Sequence, residues 1–170
     1  MNRRSIFTLS AISVLGLALL PSGIVAQQGS LQKQLVGTWM LVSYDATAAD
    51  GTRRQLSGSN AKGILIFDDG GRYANVFERV GRPKFKSASQ PTTEEMAAAI
   101  SDFFAANFST WSVSEADKVL TQRFEGALRP NNDGADARTS VSLAGDELKL
   151  TTINVLPTGA KIEQVYRRAK

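Results

Sequence analysis

With neither histidine nor cysteine among its 170 residues, the chain lacks the ligands of ordinary zinc sites, cannot run Ser-His-Asp or Cys-His catalysis, and has no disulfide to form. Its 20 Lys and Arg against 16 Asp and Glu leave a formal charge of +4. The basic residues are scattered (Arg53-Arg54, Arg82, Lys84, Lys86, Arg167-Arg168) without a stripe or interleaved aromatics, so no nucleic-acid partner is expected.

Residues 1–26 read as a cleaved signal peptide: Arg3-Arg4 as the basic region, Ile6 to Leu20 as the apolar region, a break at Pro21-Ser22-Gly23, and Ile24-Val25-Ala26 before Gln27. The apolar run falls short of the about 20 residues of a membrane span, and no Cys follows it to carry a lipid, so no stable membrane anchor is expected. Arg3-Arg4-Ser5-Ile6-Phe7 also loosely resembles a twin-arginine export signal, beside the ordinary secretory reading. The expected location is periplasmic or secreted. Polar residues 27–34 read as a flexible arm, and 35–170 as one domain long enough to bury a core unaided.

From Leu35 the pattern is short β-type runs separated by turn chemistry. Trp39 to Tyr44 is the first run, ending towards Asp50-Gly51. Gly63-Ile64-Leu65-Ile66-Phe67 is continuously apolar, as for a strand covered on both faces, and Asp68-Asp69-Gly70-Gly71 turns into Arg72 to Arg79. After a basic loop, Thr92-Thr93-Glu94-Glu95 forms a capping-box pattern. Met96, Ile100, Phe103 and Phe104 then follow at helical spacing, which predicts a helix over about 93–107 with one face buried, placed to cover a barrel end. Thr110 to Ser114, Val119 to Leu128, Ala137 to Leu143, Leu148 to Val155 and Lys161 to Arg168 complete the strands. Their later breaks lie at Pro130 to Gly134, Ala144-Gly145-Asp146 and Pro157-Thr158-Gly159. The expectation is an all-β fold, an antiparallel up-and-down β-barrel of about eight strands with one inserted α-helix.

Several segments carry a resemblance. Leu35-Val36-Gly37-Thr38-Trp39 opens the first strand, Ala61 to Phe67 and Asp69-Gly70-Gly71-Arg72-Tyr73 follow, then the helix from Thr93 and Ser109-Thr110-Trp111. Phe124-Glu125-Gly126, Gly145-Asp146-Glu147-Leu148 and the terminal Tyr166-Arg167-Arg168 complete the series. Over roughly 33–168 the chain resembles the bacterial and fungal lipocalin-like domain family. The resemblance implies a small β-barrel that binds a small apolar molecule, and no catalytic residue. It also implies that Trp39 closes one barrel end under an arginine of the last strand, for which Arg168 shares strand parity with Tyr166, while Gly37 opens the Gly-x-Trp motif. Where many relatives have His, this chain has Gln122-Arg123.

Phe67, Tyr73, Asn75, Phe77, Arg79, Trp111 and Arg123 are the candidate ligand-binding residues, aromatic and polar side chains on single faces of central strands. An inward Arg79 or Arg123 would pair with a carboxylate head group; strand parity alone does not say which face is inside. No catalytic residue, metal or cofactor is expected, and the expected partner is a small apolar or amphipathic ligand. Two other readings stay open: a small isomerase- or cyclase-type enzyme using Tyr73 and Glu125, and a structural or interaction module with a filled barrel. Asp68-Asp69 and Asp133/Asp136 lack the spaced oxygens of a Ca²⁺ loop and read as turn residues.

Overall fold

The computed structural model describes residues 30–58, 62–153 and 159–170. The signal segment 1–26, the start of the arm and the turn residues Pro157 and Thr158 lie outside the described residues. The strands are β1 (Gly37–Thr47), β2 (Arg53–Gln55), β3 (Lys62–Phe67), β4 (Arg72–Glu78), β5 (Phe103–Ser114), β6 (Val119–Ala127), β7 (Asp136–Ala144), β8 (Glu147–Thr152) and β9 (Lys161–Arg168). From β3 to β9 each strand pairs antiparallel with the next, and β1 pairs with both β3 and β9, so eight strands close an up-and-down barrel. β2 is a short addition hydrogen-bonded to the far end of β1. Closure pairs the backbone groups that an open sheet would leave at its edges.

Strand parity sorts the side chains. Leu65 and Phe67 on β3, Tyr73, Asn75 and Phe77 on β4, and Trp111 on β5 are buried inside, with Leu120, Leu148, Leu150 and Tyr166 on the later strands. The register puts the chain ends of β1 and β9 together, Trp39 opposite Arg168. Gly63 is an inward position where the barrel is tight: a β-carbon there would collide with that of Phe77 and stand 3.1 Å from that of Leu41.

Four expectations change. The helix α2 spans Thr93–Ser101, and the residues beyond it, expected to be helical up to 107, open strand β5 instead. Its start is as expected, with Thr92 and Glu95 forming a reciprocal capping box. At its end the Asp102 N–H closes on Ala98 O, while the Arg79 N–H donates to Asp102 O at 2.8 Å and begins the β4–β5 ladder. Phe103 to Asn107 fit both periods, and the ladder of barrel hydrogen bonds decides for strand. The expected buried face of α2 is absent too: the helix buries no residue, and Met96 and Ile100 are 43% and 51% exposed.

Residues 31–34, expected in a flexible arm, belong to a one-turn helix α1 (Leu31–Leu35) capped by Ser30, with Leu31 and Leu35 buried in the core. Finally, β3 is not covered on both faces. Ile66 is exposed outside the barrel beside Met40, Val76 and Phe108, since β-branched and aromatic residues favour strand geometry without needing burial on both sides.

Candidate functional site

One end of the barrel is shut. The Trp39 indole is fully buried and donates from Nε1 to Leu35 O at 2.8 Å. The Arg168 guanidinium lies over it, Cζ 4.1 Å from the ring centroid, donating through Nη1 to Val36 O at 3.0 Å and through Nη2 to Gln34 O. A cation held against an aromatic face and bonded to two carbonyls is a well-satisfied partly buried charge. Leu35 packs in the same cluster, so α1, the Gly37-Thr38-Trp39 opening and the end of β9 form one plug. Phe67 and Trp111 extend it upward, their rings 4.8 Å apart in edge contact, with Tyr73 on the other side of Phe67 at 5.3 Å.

The opposite end is lined differently. Ala46, Gly63, Ala105, Ala137 and Thr152 share the inward parity of their strands and are only half-buried. Between plug and mouth runs a belt of uncharged polar side chains. Asn75, Ser109 and Gln122 are buried; Tyr73 is hydrogen-bonded to Asn75 and Gln122. The Tyr166 hydroxyl sits 2.8 Å from Gln164 Oε1 and 3.4 Å from Asn75 Oδ1, linking β9 to β4 across the interior. Burial pushes the Tyr73 and Tyr166 phenols far above their ordinary range, so both stay neutral donors. Tyr44, edge-on to Phe77 at 4.9 Å, is raised by burial as well, with Arg129 acting the other way.

Of the residues chosen from sequence, Phe67, Tyr73, Asn75, Phe77 and Trp111 are brought together inside the barrel. Arg79 and Arg123 are not. Arg79 lies beyond the end of β4 and pairs with Asp102 at 3.2 Å, and Arg123 faces solvent and pairs with Asp136 at 3.2 Å. Neither arginine is available to a carboxylate in the interior. The reason is parity: Gln122 opposes Trp111 inside, which turns Arg123 out. The suspected acid–base pair is separated as well, because Glu125 sits outside in an ion pair with Arg72 while Tyr73 points in. Asn107, Ser109, Gln122, Gln164 and Tyr166 escaped the sequence reading as a group; their signal is the pairing register, which sets Asn107 and Ser109 opposite Asn75 and Tyr73, Gln122 opposite Trp111, and Gln164 and Tyr166 opposite Leu150 and Leu148, and which a single strand does not carry.

Two shallow grooves, about 410 and 350 Å³, run along the outside of β3–β5. They are corrugations between exposed apolar side chains such as Ile66, Val76 and Phe108.

Among solved structures, a lipocalin-like protein from Bacteroides uniformis shares 14% identity, with 79% of this chain and 98% of that chain covered and a TM-score of 0.41. An uncharacterized protein from Bacteroides eggerthii shares 12%, covering 79% and 99%, also at a TM-score of 0.41. A mutant of the fluorescent protein UnaG shares 16%, covering 81% and 97%, at 0.36. At these scores the likenesses carry no argument. No curated protein sequence matches the chain. The profile of the lipocalin-like domain does match, over residues 36–169, and the chain belongs to that family.

Proposed function

We propose that this is an exported carrier that holds a small hydrophobic or amphipathic molecule in its barrel without transforming it. One observation carries the reading: the two ends of the interior are built differently. Trp39 and Leu35 at the plug are fully buried, whereas the mouth is lined by Ala46, Ala105, Ala137 and Thr152, which solvent partly reaches. Small side chains at one end of a barrel whose other end is sealed leave room where a guest enters, and aromatic walls such as Phe77, Tyr44 and Phe67 supply apolar contact. Export rests on residues 1–26, which have the three-part organisation of a signal peptide.

Native mass spectrometry on protein purified from its own cells tests both parts. The expected result is a chain beginning near Gln27 and carrying an adduct of small-molecule mass that organic solvent releases. A chain that always retains residues 1–26 would remove the export reading. An unliganded mass that persists after incubation with apolar extracts of the host would remove the carrier.

A further inference from the structure

We infer, resting on the carrier reading, that the end of the ligand buried deepest is uncharged and hydrogen-bonding, an amide or an alcohol, and not a carboxylate or an amine. The first support is the distribution of charge. Among the described residues of the barrel strands, Arg168 alone among Asp, Glu, Lys and Arg has inward parity. Its guanidinium is taken up by the Trp39 ring and the carbonyls of Val36 and Gln34. Asp45 is buried but lies on the outward side of β1 against Arg53 at 2.9 Å. The other ionic groups of the wall strands have outward parity, some of them paired there, as Arg72 with Glu125, Arg123 with Asp136 and Lys149 with Glu163. An ion carried to the belt would lose its water and meet no counter-charge on the wall strands; Arg129, which acts on Tyr44, is an exposed residue of the β6–β7 connection at the rim, beside Ala105 and Asn107.

The second support is hydrogen-bonding capacity left over in the belt. Ser109 Oγ, in a side chain 1% exposed, has no partner, and neither do Asn107 Oδ1 on the same face of β5 and Thr139 Oγ1 on β7. The two flanking strands thus hold unused polar atoms on either side of Gln122 of β6. Buried polar atoms without partners cost stability, and a guest that both donates and accepts recovers it. Amides and alcohols do both. A carboxylate only accepts, and an ammonium only donates and brings a charge.

The test is a matched series with one apolar tail: dodecanamide, 1-dodecanol and dodecanoate at neutral pH, titrated into purified protein stripped of lipid and followed by tryptophan fluorescence, since Trp39 and Trp111 both lie inside. The amide and the alcohol are expected to bind roughly ten-fold or more tighter than the carboxylate. Gln122→Leu, and independently Ser109→Ala, are expected to narrow that gap at least about three-fold. Dodecanoate binding as tightly as the amide would overturn the head-group inference and leave the carrier standing. Folded protein that binds none of the three would overturn the carrier reading itself, and the inference with it.

Discussion

A β-carbon on Gly37 would stand 3.0 Å from Nη1 of Arg168, at a backbone φ of +129° that side chains with a β-carbon rarely adopt. The glycine of the Gly-x-Trp opening therefore acts sterically, leaving the space into which the guanidinium reaches before bonding Val36 O. Gly37→Ala is expected to cost about 1–3 kcal/mol in urea unfolding, from backbone strain together with a displaced arginine. An unchanged midpoint would mean that the guanidinium does not need that space.

The plug under Trp39 is the part of the barrel that truncation should damage most. Trp39→Ala is expected to cost about 3 kcal/mol or more, as large core truncations do. Arg168→Lys keeps the charge but loses the planar fork that spans two carbonyls and a ring, and should cost about 1–2 kcal/mol. A loss well below 1 kcal/mol for Trp39→Ala, by chemical denaturation with two probes, would sink the closing role.

Leu35 ties α1 to the core, and Leu35→Ala should destabilise the barrel by about 2–5 kcal/mol. If residues 31–35 were an independent arm, the substitution would leave the unfolding midpoint where it was.

Gly63→Ala tests the tight wall. Its new methyl would meet Phe77 and Leu41 in a packed interior, and the expected loss is about 1–3 kcal/mol with weaker binding of any barrel ligand. Calorimetry on the apo protein separates the packing effect from the binding effect.

The chain has three tyrosines, Tyr44, Tyr73 and Tyr166, and burial raises the pKa of each. A raised phenol contributes stability that is complete below about pH 10, where unfolded tyrosine is still protonated. Above that the unfolded chain releases protons that the folded chain keeps, so stability falls as pH rises. The slope should be about 1.4 kcal/mol per pH unit for each tyrosine held neutral, Tyr73 and Tyr166 foremost. Tyrosinate absorbance near 295 nm should stay low past pH 10 and then rise together with loss of near-ultraviolet circular dichroism. Tyrosinate appearing at pH 10 in folded protein would contradict the inward placement.

Much of the architecture is legible in the sequence because it is local. Asp50-Gly51 and Asp68 to Gly71 turn where their chemistry says, with Thr52 and Arg72 donating from backbone N–H to Asp50 and Asp68 at 2.8 Å each. Trp39 and Arg168 are legible as a pair through the family resemblance, and the β1–β9 register sets them opposite one another. The outward placement of Arg123 is not legible, because alternation identifies two faces and not which one meets the core; Gln122, not Arg123, opposes Trp111. Phe103 to Asn107 read as helix because helix spacing and strand alternation coincide over so few residues, and the partner that settles the matter, β4, is 25 or more positions earlier in the chain. Leu31 is obscured by the polar residues that follow it, Gln32, Lys33 and Gln34.

The excursion that carries α2 leaves and rejoins the barrel at one point: Arg79 and Asp102 are joined through backbone and side chain alike, and the wall is already complete beneath them. Chain length at the mouth is thereby uncoupled from closure of the wall. A longer, shorter or rewritten insert changes what surrounds the entrance while the ladder from Arg72 to Glu78 and its partners stays in register. One barrel can in this way be refitted for different guests at its rim without being redesigned at its base.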